Sequence, residues 1–258
     1  MDFRFQLPKP ATGPLVELTA AETEKLLLKK VVEAGENPKP ALWDLAQFYK
    51  LNKQHEKALE CLRQLIALLP GPEEKASCIF TMGQAMEQVS DYPAAILYYK
   101  EALTLEPAST FTWYFIHNNL GFSLNSLQRF DEGEQYCREA IKIDPNRPNG
   151  YKNLGLALIG QGRHREAASS FVLATQANSA DARAFHLLVE LLQQHPELAY
   201  EFQDAVDMCR KAIEVATKKS DELQPVIYRG WKKQVFLLKM KIQSFFRRLR
   251  GNSESPKG

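Results

Sequence analysis

A spacing of 34 residues runs through the middle of this 258-residue chain and limits its fold more than any other feature. Leu120 and Leu154, Gly121 and Gly155, Gly133 and Ala167, and Ala140 and Ala174 each stand 34 positions apart. The stretch before them carries Gly83, Ala95, Ala102 and Pro107 in the same order, with Gly83 38 residues ahead of Gly121. A fixed period of this length marks a stack of supersecondary units, none of which buries its apolar face alone. Apolar spacing within a unit is helical, as at Ile96, Tyr99 and Leu103. Pro107 and Pro145, each behind an acidic residue, stop the helices. Small residues at Gly121 with Gly133, and at Gly155 with Ala167, predict antiparallel helices that approach closely. No convincing alternating run is present, so the expected class is all-α.

These units resemble tetratricopeptide repeats, whose pattern is W-x2-L-G-x2-Y, then A, then F and A, then P. Five frames follow: 39–72, 76–109, 114–147, 148–181 and a longer last one at 182–219. The first carries Trp43, Leu45, Ala46, Tyr49, Ala58 and Pro70, and the fourth Tyr151, Leu154, Gly155, Ala167, Phe171 and Ala174. Ser179 replaces the fourth frame's closing proline, and Val189 stands where the fifth frame's glycine belongs. The resemblance implies a right-handed superhelical solenoid of about five antiparallel helix pairs with a concave groove.

The ends differ from the repeats. Residues 1–18, rich in proline, are expected to be extended or mobile. Residues 19–35 read as an N-terminal capping helix, with Thr19 and Glu22 forming a capping box and Gly35 and Pro38 ending it. A long basic amphipathic helix is expected at 222–250, followed by a disordered tail at 251–258. Its eight cations are Arg229, Lys232, Lys233, Lys239, Lys241, Arg247, Arg248 and Arg250, and residues 225–250 hold no acid. The whole chain is +2 and the tail neutral, so residues 1–224 carry −6 and charge is segregated. Ile227, Trp231, Val235, Leu238, Ile242, Phe245 and Leu249 form an apolar stripe along that helix. Two roles stay open and can coexist: the helix closes the last apolar face of the array, or it binds anionic membrane or nucleic acid.

Catalytic chemistry finds little support. His55, His117, His164, His186 and His195 include no HExxH and no cysteine–histidine set with metal spacing, and His55 and His164 fall in inter-helix turns. Cys61, Cys78, Cys137 and Cys209 are too scattered for a CxxC pair and suit buried thiols in a reducing compartment. The stretch "NLGLALIGQGRHREA", from Asn153, is glycine-rich, but a phosphate loop needs its glycines between a strand and a helix N-terminus. Gly155 falls inside a repeat helix instead, which points to packing. Neither an enzyme, a cofactor, a metal nor a small-molecule substrate is expected. The acidic second residue and the lack of a long apolar run suggest a cytoplasmic protein.

The resemblance places the binding site on the first helix of each unit, with its second, fifth, sixth and ninth residues facing the groove. That frame nominates Phe115, Asn118, Asn119 and Phe122, then Asn149, Lys152 and Asn153, then Arg183 and His186. Inward asparagines both donate and accept, which suits the backbone of an extended peptide, although asparagines are also ordinary on a wet helix surface. Lys152 and Arg183 suit a carboxylate. Some relatives clamp chaperone C-termini with a Lys/Asn/Asn/Lys/Arg set. Here only Asn153 and Arg183 fall in place, with Phe122 and Leu187 where that clamp has polar groups. The expected partner is a protein or peptide segment.

Overall fold

The structure, a computed structural model, describes residues 19–223, with side chains described to residue 217. Among them every regular element is a helix. The described residues divide into two compact units, one ending at Leu69 and the other beginning at Pro70.

The first unit holds α1 (Ala20–Glu33), α2 (Lys39–Leu51) and α3 (His55–Leu68), each packed on the next. Thr19 accepts from the Glu22 backbone while the Glu22 carboxylate accepts from Thr19 N at 2.8 Å, a reciprocal cap that starts α1. Gly35, at φ +53°, turns the chain away from its end. Leu27 of α1 is buried, as are Leu42, Leu45 and Tyr49 of α2 and Leu59, Leu62 and Leu65 of α3. Glu24 ties all three helices: its carboxylate accepts from Tyr49 OH at 2.9 Å and pairs with Lys57 Nζ at 2.8 Å.

The second unit contains α4 (Pro72–Gln88), α5 (Tyr92–Thr104), α6 (Thr110–Ser126), α7 (Phe130–Ile143), α8 (Pro148–Gly160), α9 (His164–Ala177) and α10 (Arg183–Gln194). A four-residue turn of helix, α11 (Pro196–Ala199), leads into α12 (Gln203–Leu223). Start signals are local: Pro72 and Pro148 open α4 and α8, and the Asp91 and Ser109 side chains accept backbone N–H groups of α5 and α6. Glu73 and Glu74 in the first turn of α4, and Asp131 and Glu132 in that of α7, complement the helix dipoles.

From α4 to α11 each helix of the second unit packs on the next, and α6 also touches both α4 and α8. Glycines set the distance within the pairs α4–α5, α6–α7 and α8–α9. A Cβ at Gly121 would collide with Cys137 Sγ, and one at Gly83 would collide with the Tyr99 ring. At Gly155 the nearest atoms to such a Cβ belong to the ring of Phe171, 2.5 Å away, which the sequence does not single out as its neighbour. The period marks where a small residue is needed but not which large one fills the space. Phe171, Phe185, Leu188 and Leu192 continue the core to Val206, Cys209 and Ile213 of α12, so the divergent last unit still closes on α9 and α10. His55 and His164, expected in turns, are the first residues of α3 and α9. The segments 1–18 and 251–258 lie outside the described residues. So do all eight cations of the expected basic helix: Arg229, Lys232, Lys233, Lys239, Lys241, Arg247, Arg248 and Arg250.

Candidate functional site

The nominated residues lie on α6, α8 and α10 of the second unit, and they fall into two sets. One faces inward. Asn118 and Asn153 are 6% and 4% exposed, and Asn153 Nδ2 donates to Asn118 Oδ1 at 3.1 Å. Asn118 Nδ2 in turn donates to Asn119 Oδ1 at 2.9 Å. Asn119 Nδ2 reaches Glu87 Oε2 at 3.3 Å and Tyr99 OH at 3.2 Å, and the Tyr99 hydroxyl donates to the same carboxylate. Asn125 Nδ2 closes the other side on Asn153 O at 2.8 Å. The nominated asparagines Asn118, Asn119 and Asn153 thus form a polar seam binding α4, α5, α6 and α8 together. Buried amides cost free energy unless each finds a partner, and these find one another. Burial raises the Glu87 carboxyl above the usual carboxylate range, while hydrogen bonds from Tyr99 and Asn119 oppose the shift.

The second set is accessible and lies mainly toward the N-terminal ends of these helices. Phe115 is half-buried, its ring centroid 4.6 Å from Phe111 and 6.4 Å from Phe80 of α4. Arg147, just before α8, places its guanidinium carbon 5.0 Å from the Phe115 centroid, 5.1 Å from Tyr114 and 5.2 Å from Phe111. Two ties hold this corner. Glu73 of α4 accepts from Ser109 N at 3.1 Å and Thr112 Oγ1 at 2.8 Å, and Tyr114 OH accepts from Gly150 N at 3.1 Å.

On α8, half-buried Lys152 donates to Asn149 Oδ1 at 3.2 Å. Its pKa is lowered, first by burial and then by the nearby Arg183, against a raising effect of Asp181. Arg183 is itself held by Asp181, its Nε 2.8 Å from Oδ1. Phe122 is half-buried with its ring edge-on to Tyr92 at 6.0 Å, and His186 is half-buried on α10.

Sequence reasoning missed Phe80, Phe111 and Arg147. Phe80 holds the same fifth position in the 76–109 frame as Asn118 and Lys152 in theirs, so extending the frame by one unit finds it. Phe111 lies in the insertion 110–113 and Arg147 closes the 114–147 frame, positions for which the repeat pattern specifies no residue.

Among the described residues no group of three His, Cys, Asp or Glu side chains is placed to hold a metal. Burial pushes the Cys78 and Cys137 thiols up to about 12, away from the thiolate that reacts. No described helix is long and apolar enough to cross a membrane.

Known proteins resemble the chain in both sequence and fold. Tetratricopeptide repeat family models match residues 40–106 and 114–147. The small glutamine-rich tetratricopeptide repeat-containing protein 2 of Mycosarcoma maydis is 33% identical over 97 residues, 38% of this chain and 26% of that protein. The heat shock protein STI1 of Saccharomyces cerevisiae is 25% identical over 122 residues, 45% of this chain and 20% of its own length. The matched region therefore spans about a quarter or less of these relatives. Among solved structures, BtubC of P. vanneervenii superposes with a TM-score of 0.64 at 15% identity, covering 80% of this chain and 93% of that one. MamA gives 0.51 at 24% identity, covering 64% of this chain and 91% of its own. At such identities the two structures bear on the fold alone.

Proposed function

The chain belongs to the tetratricopeptide repeat family, and from that premise we propose that it is a non-catalytic adaptor. A protein or peptide segment lies along the first helices of the second unit's repeats, in contact with Phe115, Lys152, Arg183 and, further along, Phe122 and His186. One observation carries the reading. Lys152 is half-buried beside a second cation and has no ion pair among the described residues. A cation in that setting is stabilised by an arriving carboxylate, whereas on an ordinary wet surface it would be fully hydrated. Asn118, Asn119 and Asn153 support the site from behind, since their amides are engaged within the chain. Alanine at the asparagines would therefore test stability rather than binding. The decisive variant combines Phe115→Ala, Lys152→Met and Arg183→Ala. It should keep the wild-type melting temperature and lose partners that the wild type captures from native lysate. Retention of every partner by the folded triple variant contradicts the assignment.

A second reading is favoured by the segregation of charge: residues 225–250 bind anionic lipid or nucleic acid while the repeats hold cargo. Sedimentation with phosphatidylserine vesicles and salt-titrated binding of an oligonucleotide test it. Absence of both at low salt removes it.

A further inference from the structure

The accessible corner of the second unit has a composition that selects among peptides, and the inference drawn from it rests on the groove reading above. Phe111 is 58% exposed and Phe115 half-buried, so their paired rings offer an open apolar surface. Arg147 covers one side of it, fixed by Asp144 Oδ2 at 2.7 Å from its Nε. Three cations serve this face: Arg147 over the rings, and Lys152 with Arg183, which act on each other. Asp144 neutralises the first and Asp181 the third, which leaves Lys152 without a paired acid among the described residues.

One cation without an ion pair, on the face that carries one aromatic surface, matches one carboxylate and one ring. It does not match a polyanion, whose binding strength comes from neutralising several phosphates at once. The net −6 of residues 1–224 also opposes a polyanion.

We propose that this corner recognises an internal peptide segment carrying one acidic and one aromatic side chain two residues apart. Phe115 and Lys152 hold the second and fifth positions of their frames on helices α6 and α8, which pack together. Both positions face the groove in the reading above, so both partner side chains must point the same way. In an extended chain that is the relation of alternate residues. The aromatic ring packs on Phe111 and Phe115, and the carboxylate accepts from Lys152 Nζ, displacing or sharing the Asn149 contact. No chain terminus is needed.

The test uses full-length protein and a fluorescein-labelled, C-terminally amidated alanine hexapeptide containing Glu-Ala-Phe, read by anisotropy. Saturable binding is expected, weakened about tenfold or more when Glu becomes Gln or Phe becomes Ala in the probe. Lys152→Met should weaken the Glu probe by a similar factor and leave the Gln probe unchanged, with Lys152→Arg restoring the difference. Absence of saturable binding, equal binding of Glu and Gln probes, or equal loss of both in Lys152→Met overturns the proposal. So does tighter binding of an oligo-dT strand that is lost in Lys152→Met. If the triple variant at Phe115, Lys152 and Arg183 still sheds partners while the hexapeptide fails, this inference falls and the groove reading stands. Failure of both removes both.

Discussion

Glu87 shows how little of a residue's role its type discloses. In sequence it is one acid among many, yet in the structure it receives both the Tyr99 hydroxyl and the Asn119 amide. Burial raises its pKa, so the folded state holds that proton more tightly than the unfolded chain does. Its contribution is complete below the unfolded glutamate range and is lost as pH rises through the folded value. Carboxylates such as Glu22 and Asp181 are shifted down and act in the opposite direction, so the effect must be read as a difference. Urea unfolding of wild type and Glu87→Gln across about pH 4.5–7.5 should show the variant gaining relative stability as pH rises; parallel curves contradict the assignment. The asparagines carry a related lesson. Their periodicity is legible in the sequence, but whether an amide meets a peptide or another amide depends on the adjacent helix. The repeat pattern does not encode that choice. At Gly155, by contrast, the requirement for a small residue is fully legible. Gly155→Ala drives a Cβ into the Phe171 ring at 2.5 Å and should cost about 1–3 kcal/mol in the same unfolding assay.

Among the elements, the turns between paired helices repeat one device. Gln54 N, Asp91 N, Arg129 N and Arg163 N each donate back to a carbonyl five residues earlier, those of Tyr49, Met86, Leu124 and Leu158. The residue before each donor is left-handed: Lys53 at φ 58°, Ser90 at 61°, Gln128 at 60° and Gly162 at 75°. This is the six-to-one closure that ends many helices, and only the last of the four uses the residue type that signals it. Sequence alone therefore places one turn from its glycine, while the rest follow only from the period. A methyl group added at Gly162 would meet no atom within 4 Å, so Gly162→Ala isolates the backbone cost. It should destabilise by about 1 kcal/mol, measurably less than Gly155→Ala if packing governs that site. The capping box at Thr19 is readable because both of its partners lie within four residues. The four-residue helix α11 is not, because the inserted stretch after Gln194 follows no repeat.

For the molecule as a whole, the repeat period discloses the fold class, and its physics explains why: each helix pair is complete only when a neighbour covers it. The period says less about the partner. The corner proposed to bind a peptide depends on Phe111 and Arg147, for which the repeat pattern specifies no residue, and on a charge balance set by Asp144 and Asp181. Charge segregation adds a separable expectation, that removal of residues 225–250 abolishes low-salt binding to phosphatidylserine vesicles while leaving capture by the repeats intact. Whether the partner lies on the first-helix face of the second unit is decided by photocrosslinking. A benzophenone side chain at Phe115 is compared with one at Leu97, which is 70% exposed on α5, a second helix of its pair. Partner crosslinks are expected from position 115 and none from position 97. Crosslinks from position 97 alone would place the partner on the opposite helices and refute the groove assignment.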